Sequence, residues 1–308
     1  MSNGGGRAAI HEDRKSAMPC NHEAAAGLDP GTPNIARVYD YYLGGNNNYA
    51  SDREAARRVL GAAPDVPLAA LENREFLRRA VRFLAEEEGI GQFIDIGPGL
   101  PTQGNVHQLA KSHDPHARIV YVDNDPVVHS HSMPLLRHVP GVAIISEDLR
   151  EPERILSSPE LRALIDFSEP VALCMSLVLH FMPPEDDPYG VVGTLRDALC
   201  PGSYLVLSHV TGDGRDADTL TEITGTYGEA TAPLVMRSRP EVAQFFDGFE
   251  LAEPGLVFIS QWRPTAEYYA QGGTRWAYAG VGMKNAACSN IHSGGQGKSS
   301  VSSSERPL

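Results

Sequence analysis

Cysteine and long apolar runs are scarce in this chain of 308 residues. The longest apolar stretch, residues 171–179, is about half of the ~20 residues that a transmembrane helix needs, and the N-terminus lacks the apolar core of a signal peptide. These absences predict a cytoplasmic protein without a membrane segment. The four cysteines form no C-x-x-C pair and predict free thiols rather than a zinc site or a disulfide framework: Cys20, Cys174, Cys200 and Cys288.

Positive charge is also in short supply, because 26 Lys and Arg stand against 39 Asp and Glu. Proteins that bind nucleic acid nonspecifically need basic side chains to displace phosphate counterions, so a net charge of −13 argues against that class. The two chain ends contribute five basic and five acidic residues, so the whole charge belongs to residues 32–284. A net-negative body favours a small-molecule ligand, with no nucleic-acid partner.

Several catalytic motifs are missing from the sequence. It has no G-x-x-x-x-G-K-[ST], no G-x-S-x-G and no H-E-x-x-H, so phosphoryl transfer, serine hydrolysis and zinc proteolysis lack their usual signatures. The histidines have no spacing with cysteines or carboxylates that suggests a metal. The sequence therefore predicts no metal site.

Composition divides the chain into three parts. Residues 1–31 are Gly, Ala and polar residues without periodicity, and residues 285–308 are rich in Ser and Gly, so both are predicted to be disordered. Residues 32–284 are predicted to form one folded domain, since no internal repeat is visible.

Five short apolar runs alternate with helical patterns inside this domain. Strands separated by helices indicate βαβ units and a parallel sheet covered on both faces. Helices are predicted near residues 72–88, 105–112, 126–137, 152–165 and 184–199. The strands are predicted at residues 92–96, 118–122, 142–145, 171–175 and 204–210.

The pattern changes after residue 210. Residues 211–240 are rich in Gly, Thr and charge and predict an insertion or a cap. A helix is predicted near residues 240–246. Residues 249–253 and 256–262 are joined by Pro254 and Gly255, and this pattern predicts a terminal antiparallel hairpin at the sheet edge.

Ligands of open parallel sheets bind beyond the carboxyl ends of the strands. Gly97 and Gly99 follow the first predicted strand, and they would let the backbone approach a ligand closely. Asp123 follows the second strand and could accept hydrogen bonds from ribose hydroxyls. Asp148 follows the third strand and could accept from an adenine amino group, with Leu149 beside the ring. Together these positions predict an adenosine ligand.

Each of these positions also has a purely structural interpretation. The glycine pair alone could form an ordinary strand-to-helix turn. Asp125, before Pro126, is better explained as the cap of the next helix than as a ligand. Asp148 could equally be a cap for the helix near residue 152 or a contact to the adenine.

Longer motifs resemble those of a bacterial family of S-adenosylmethionine-dependent methyltransferases, long catalogued as a domain of unknown function. The resemblance spans residues 32–284 and concerns the segments 33–53, 93–102, 105–107, 120–127, 254–256 and 262–264. It implies bound S-adenosyl-L-methionine and an α/β, Rossmann-like class I methyltransferase fold. That fold is a mainly parallel seven-stranded sheet with a terminal antiparallel hairpin and an N-terminal helical lid.

The residues and the resemblance together predict a set of cofactor-binding residues. The set is Tyr39, Tyr42, Gly44, Asn48, Gly97, Gly99, Thr102, Asp123, Asn124, Asp148, Leu149 and Ser176.

One departure from the family is Pro98, which replaces a small polar residue and removes one backbone N–H. We expect it to adjust the affinity for the cofactor rather than abolish binding.

Two further features have competing interpretations. The segment 39–49 is either a lid that places aromatic faces and amides over the cofactor, which we favour, or an amphipathic helix with an Asn-rich turn. His180, after the fourth strand, is the candidate general base and would titrate near neutrality. Alternatively, it is a histidine that is hydrogen-bonded at the strand end.

The predicted function is methyl transfer from S-adenosyl-L-methionine to a small-molecule acceptor. One alternative is a non-catalytic S-adenosylmethionine-binding regulatory module, suggested by Pro98 and the unassigned acceptor. A nicotinamide-dependent oxidoreductase is less favoured, because Thr102 replaces the third glycine of the dinucleotide motif. Acceptor specificity is expected from residues 211–240 and from Tyr268, Tyr269, Trp276 and Tyr278.

Overall fold

A computed structural model describes residues 29–101, 104–264 and 273–285. The predicted disordered ends lie almost entirely outside these ranges, so their disorder stays a prediction. Thr102, Tyr268 and Tyr269 also lie outside the described residues. Within the described ranges, no helix has the length and apolar character needed to cross a membrane.

Three helices precede the sheet: α1 (Ile35–Tyr42), α2 (Ala50–Ala62) and α3 (Val66–Glu86). Helix α3 contains the predicted apolar stripe, and all six of its members are buried: Phe76, Leu77, Ala80, Val81, Phe83 and Leu84. It begins six residues before the predicted start, because Pro67 suits the first turn of a helix. Gly89, with a φ of +69°, lies just beyond its end.

Five parallel strands follow, and their bounds match the predicted ones to within one residue. They are β1 (Gln92–Ile96), β2 (Arg118–Val122), β3 (Val142–Ile145), β4 (Ala172–Ser176) and β5 (Tyr204–Val210). Their order in the sheet is β3-β2-β1-β4-β5. The order reverses between β1 and β4, which is where a ligand crevice is expected in such sheets.

The connecting helices are α4 (Val106–His113), α5 (Pro126–Leu136), α6 (Pro152–Ser157), α7 (Pro159–Leu164), α8 (Pro188–Ala198), α9 (Ala217–Gly228) and α10 (Arg239–Gln244). The single helix predicted over residues 152–165 is two helices, because Ser158 ends the first and caps the second. The helix predicted over 184–199 begins as a 3-10 turn, and α8 starts after Asp187.

The predicted terminal hairpin is wrong in its pairing. Strands β6 (Phe249–Leu251) and β7 (Val257–Phe258) do not pair with each other, and each pairs antiparallel with β8 (Ala277–Lys284). Strand β8 lies between β5 and β6, so the sheet has eight strands rather than seven. With this correction, the predicted class I methyltransferase fold is confirmed.

Strand β8 was not predicted because Gly280 and Gly282 weaken its strand pattern. The structure gives the reason for both glycines. A Cβ atom at Gly280 would lie 2.9 Å from the Phe246 ring, and one at Gly282 would lie 2.9 Å from Cβ of Phe249. Both positions therefore need glycine for close packing.

The apolar core has three parts. Helices α3, α4 and α5 cover one face of the sheet, and α6, α7, α8 and α10 cover the other. A third cluster lies between α1, α2 and α9, away from the two sheet faces, and includes Tyr42, Ile223 and Trp276. The segment 211–240 that was predicted to be a cap supplies α9 to this cluster.

A buried ion pair joins the first two helices. Nε of Arg37 lies 2.6 Å from Oδ2 of Asp52, and the two side chains are only 3% and 0% exposed. Asp52 also accepts hydrogen bonds from the backbone N–H groups of Asn34 (2.8 Å) and Tyr49 (2.7 Å). This carboxylate therefore satisfies three donors and has a structural role.

We expect Asp52→Ala to lower the free energy of unfolding by about 3–5 kcal/mol, because it leaves the buried Arg37 charge without its partner. Glu54→Ala is the matched control, since Glu54 is an exposed carboxylate on the same helix. Urea denaturation followed by circular dichroism measures both variants. A loss no larger than that of the control would contradict the prediction.

Candidate functional site

One cavity of about 590 Å³ opens at the carboxyl ends of β1 to β4, beneath the N-terminal helices. Two of the predicted residues, Gly44 and Asn48, do not line it, and Thr102 is outside the described residues. Ten predicted residues do line it: Tyr39, Tyr42, Gly97, Gly99, Asp123, Asn124, Asp148, Leu149, Ser176 and His180. The structure thus brings most of the predicted set to one place.

The glycine turn after β1 forms part of the cavity wall. Gly97 and Gly99 both have a φ of +67°, a conformation that favours glycine. A Cβ atom at Gly97 would lie 2.5 Å from Cγ2 of Val178, whereas one at Gly99 would have no atom within 4 Å. Gly97 is thus required by packing inside the protein, and Gly99 leaves an open space in the wall.

Two carboxylates lie at the ends of β1 and β2. Asp123 accepts hydrogen bonds from the backbone N–H groups of Gly99 (3.3 Å) and Asp125 (2.9 Å), and burial raises its pKa to about 6. Asp95 is buried, and burial raises its pKa to about 7 against the opposing effect of Arg74. Asp125 caps α5 by accepting from N–H of Val127 (2.7 Å), as predicted.

Asp95 was missed by the sequence analysis. A signal was present, because it is the one charged residue in an otherwise apolar strand core, two positions before Gly97. Such a residue is rarely buried without a partner or a function.

The loop after β3 presents Asp148 and Leu149 to the cavity. Asp148 accepts hydrogen bonds from the side-chain amide of Asn124 (2.8 Å) and from the backbone N–H of Arg150 (2.9 Å). It does not cap α6, whose N-cap is Glu151. The helix-cap interpretation of Asp148 is therefore wrong, and its carboxylate shapes the cavity edge.

The N-terminal helices roof the cavity through Tyr39 and Tyr42. The Tyr39 hydroxyl donates to the carbonyl of Ala70 (3.1 Å) and accepts from the side-chain amide of Asn73 (3.2 Å). The Asn73 carbonyl oxygen in turn accepts from the hydroxyls of Ser208 (2.6 Å) and Ser176 (3.1 Å). Asn73 thus joins the roof to the ends of β4 and β5. The sequence signal for Asn73 was a polar residue on the apolar stripe of α3.

Gly44 and Asn48 lie in the loop after α1. Gly44 has a φ of +76° just beyond the helix end. The Asn48 amide donates to Oδ2 of Asp40 (2.8 Å) and to the carbonyl of Gly45 (2.9 Å). These contacts fix the shape of the loop, one step removed from the cavity.

His180 lies in a 3-10 turn after β4 and lines the cavity, but it is 4% exposed. Its Nδ1 atom is buried and has no hydrogen-bond partner. Burial holds its pKa well below the usual range, and nearby His209 and Arg237 act in the same direction. The imidazole is therefore neutral at physiological pH and a weaker base than the sequence suggested.

The turn that carries His180 is held by Arg237. This buried guanidinium donates to the carbonyls of Leu179 (3.0 Å) and Met182 (2.8 Å) and lies 2.9 Å from Nε2 of His209. No pattern in the sequence indicated Arg237, because an isolated arginine in a polar segment is typical of a surface residue.

These features fit an adenosine-containing cofactor. The space at Gly99 admits a close ligand, and the two strand-end carboxylates can accept from hydroxyl and amino groups. A family model for S-adenosyl methyltransferases matches residues 21–285. The chain belongs to the S-adenosyl methyltransferase family.

Two solved structures are similar along nearly their whole length. A DUF574 family protein from Streptomyces avermitilis MA-4680 is 38% identical, with a TM-score of 0.79, and the match covers 83% of this chain and 99% of that one. A candidate methyltransferase from Thermobifida fusca YX is 40% identical, with a TM-score of 0.80, and the match covers 86% and 100%. A search of curated proteins finds no match.

The chain is accordingly an enzyme, and its cofactor is S-adenosyl-L-methionine. Family membership removes the support for the oxidoreductase interpretation. Across the described ranges, no group of three or more His, Cys, Asp or Glu side chains could hold a metal ion.

The two turn glycines yield a paired prediction for the methyltransferase. Gly97→Ala should lower the free energy of unfolding by about 2–4 kcal/mol, from the left-handed backbone plus the clash with Val178, and Gly99→Ala by about 1–2 kcal/mol, from the backbone alone. Gly99→Ala should nevertheless weaken cofactor binding, because its methyl group enters the open space. Urea denaturation and calorimetry separate the two effects; equal destabilisation of both variants would contradict this account.

Proposed function

We propose that this enzyme transfers the methyl group of S-adenosyl-L-methionine to a small-molecule acceptor inside the roofed cavity. The observation that carries the proposal is the continuity of this cavity. It runs from Gly99 and Asp123 at the strand ends to Phe181 and Tyr227 beneath the helices. Its volume of about 590 Å³ is typical of a small-molecule site.

The strand-end half of the cavity suits the cofactor. We infer that Asp123 accepts from the ribose hydroxyls and that Asp148 and Leu149 contact the adenine. Gly97 and Gly99 let the backbone approach the amino-acid part, toward which Asp95 also lies. Three further assignments extend this proposal: Tyr39, Asn124 and Ser176 as wall contacts of the cofactor. Tyr42 was predicted with them, but its hydroxyl lies 3.5 Å from that of Tyr227, and we assign it to the other end of the cavity. Gly44 and Asn48 act by shaping the roof, and a role for Thr102 stays a prediction.

The bound cofactor supplies a methyl group on a positively charged sulfur, which is reactive without further activation. The protein's contribution is orientation and exclusion of water, and orientation can supply up to about 7–11 kcal/mol. We propose that His180 contacts the acceptor as a neutral ring. Because its pKa is held low, His180 is a weak base, and its proposed role is contact with the acceptor rather than proton removal.

We also propose a cytoplasmic location in a bacterial cell. The described cysteines Cys174 and Cys200 are free thiols, which suits a reducing compartment. The two similar structures come from Streptomyces avermitilis and Thermobifida fusca.

Calorimetric titration with S-adenosyl-L-methionine and S-adenosyl-L-homocysteine tests the cofactor site. Asp123→Ala should weaken binding at least about tenfold, because charge-assisted hydrogen bonds are worth about 1.5–3 kcal/mol each. Asp247→Ala is the matched control, since Asp247 is exposed and does not line the cavity. No binding of either compound to the intact chain, or undiminished binding to Asp123→Ala, would refute the proposed site.

The raised pKa of Asp123, about 6, predicts that cofactor binding depends on pH. Only the carboxylate form accepts from both hydroxyls, so affinity should be about tenfold weaker at pH 5 than at pH 8. The raised pKa values of Asp123 and Asp95 make protonation of these two groups at pH 5 favour the folded state, so their titration does not itself unfold the protein. Asp123→Asn should reduce the pH dependence; a variant that keeps all of it would show that Asp123 is not responsible.

A further inference from the structure

The end of the cavity beneath the helices has a wall of large apolar side chains, which we call the aromatic chamber. It is formed by α1, the turn after β4, α9 and the residues that precede α10 and β8. Its members are Tyr42, Phe181, Ile223, Tyr227, Leu234 and Trp276. The chamber adjoins Ser176 and His180, where β4 ends.

No member of the aromatic chamber carries a charge. Two charged groups contact Trp276: its indole N–H donates to Oδ1 of Asp65 (2.8 Å), and its ring centroid lies 3.8 Å from the Arg215 guanidinium. Neither Asp65 nor Arg215 is among the described residues that line the cavity. Both charged groups therefore contact the indole on the side that faces away from the cavity, and the side that faces the cavity stays apolar.

The chamber does have one hydrogen-bond donor to offer. The hydroxyls of Tyr42 and Tyr227 lie 3.5 Å apart, and burial raises the pKa of both phenols, so both keep their protons. One hydroxyl can donate to the other, and the second proton then has no partner within the pair. That O–H group can donate to a ligand in the chamber.

We propose that the methyl acceptor is an uncharged aromatic-ring compound that presents a hydrogen-bond-accepting atom to the Tyr42–Tyr227 pair. The inference rests on the proposed function and names the class of its acceptor. An anion would lose its hydration without gaining a cation from the chamber wall. A cation would be repelled by the sulfonium of the cofactor. A flat ring packs well against Phe181, Tyr227 and Trp276.

The electron balance of the transfer agrees with this class. The lone pair of the acceptor forms a bond to the methyl carbon, and the carbon–sulfur bond breaks with its electron pair staying on sulfur. The acceptor gains one positive charge as the sulfonium loses its own. Any proton that the methylated product then sheds passes to bulk water after the product has left the cavity, so no residue of the chamber has to act as a base.

The test is calorimetry on the full chain saturated with sinefungin, which carries an ammonium group where the cofactor has its sulfonium. Three bicyclic probes of similar shape differ in charge at pH 8: isoquinoline is neutral, isoquinoline-3-carboxylate is an anion and N-methylisoquinolinium is a cation. We expect isoquinoline to bind at least tenfold more tightly than either charged probe. Phe181→Ala should weaken its binding at least fivefold, with sinefungin affinity within twofold of the parent.

A second comparison isolates the hydrogen bond. The double variant Tyr42→Phe/Tyr227→Phe should weaken isoquinoline binding about fivefold, because both hydroxyls are gone, and should leave the binding of naphthalene unchanged. Equal loss for both compounds would mean that the variant disturbs the shape of the chamber and would overturn the role of the pair.

The outcomes separate the two proposals. If sinefungin itself does not bind, the proposed function fails. If sinefungin binds but none of the probes does, or a charged probe binds as tightly as isoquinoline, the inference about the acceptor is wrong while the cofactor site stands.

Discussion

The buried ion pair between Arg37 and Asp52 is the constraint on which the site depends. It fixes α1 against α2, and α1 forms much of the roof of the cavity. Asn34 extends the connection to the sheet: its backbone N–H donates to Asp52, and its side-chain amide donates to Asp125 at the start of α5. A single chain of polar contacts thus holds the roof over the carboxyl ends of the strands. Without it, the cavity would be an open groove in which water could reach the reacting atoms.

The cavity combines two electrostatic environments. Asp95, Asp123 and Asp148 lie at the strand ends, where hydroxyl and amino groups of the cofactor need acceptors. The aromatic chamber lacks charge, and its tyrosines stay protonated. The net charge of −13 therefore does not describe the acceptor end of the site. It is consistent with the strand-end half of the cavity, which several carboxylates line.

Much of the sheet could be predicted from the sequence, because β1 to β5 are continuous apolar runs bounded by helical patterns. Strand β8 could not, since its glycines are explained only by the side chains of Phe246 and Phe249 that pack over them. In the site, the strand-end residues Gly97, Gly99, Asp123 and Asp148 were predictable because topology alone brings strand ends together. The partners of Asn73 and Arg237 were not, because they lie between 28 and 135 residues away along the chain. The low pKa of His180 depends on burial, which no local pattern reveals.

The position of β8 has a consequence for the order in which the site is completed during synthesis. Trp276 directly precedes this strand, and Thr274 donates from its backbone N–H to the buried carboxylate of Glu72 on α3 (3.0 Å). The strand-end loops that line the cavity have all been synthesised by about residue 180, whereas the indole wall of the chamber is synthesised almost one hundred residues later. The half of the site that we propose for the cofactor is therefore synthesised before the half that we propose for the acceptor is complete.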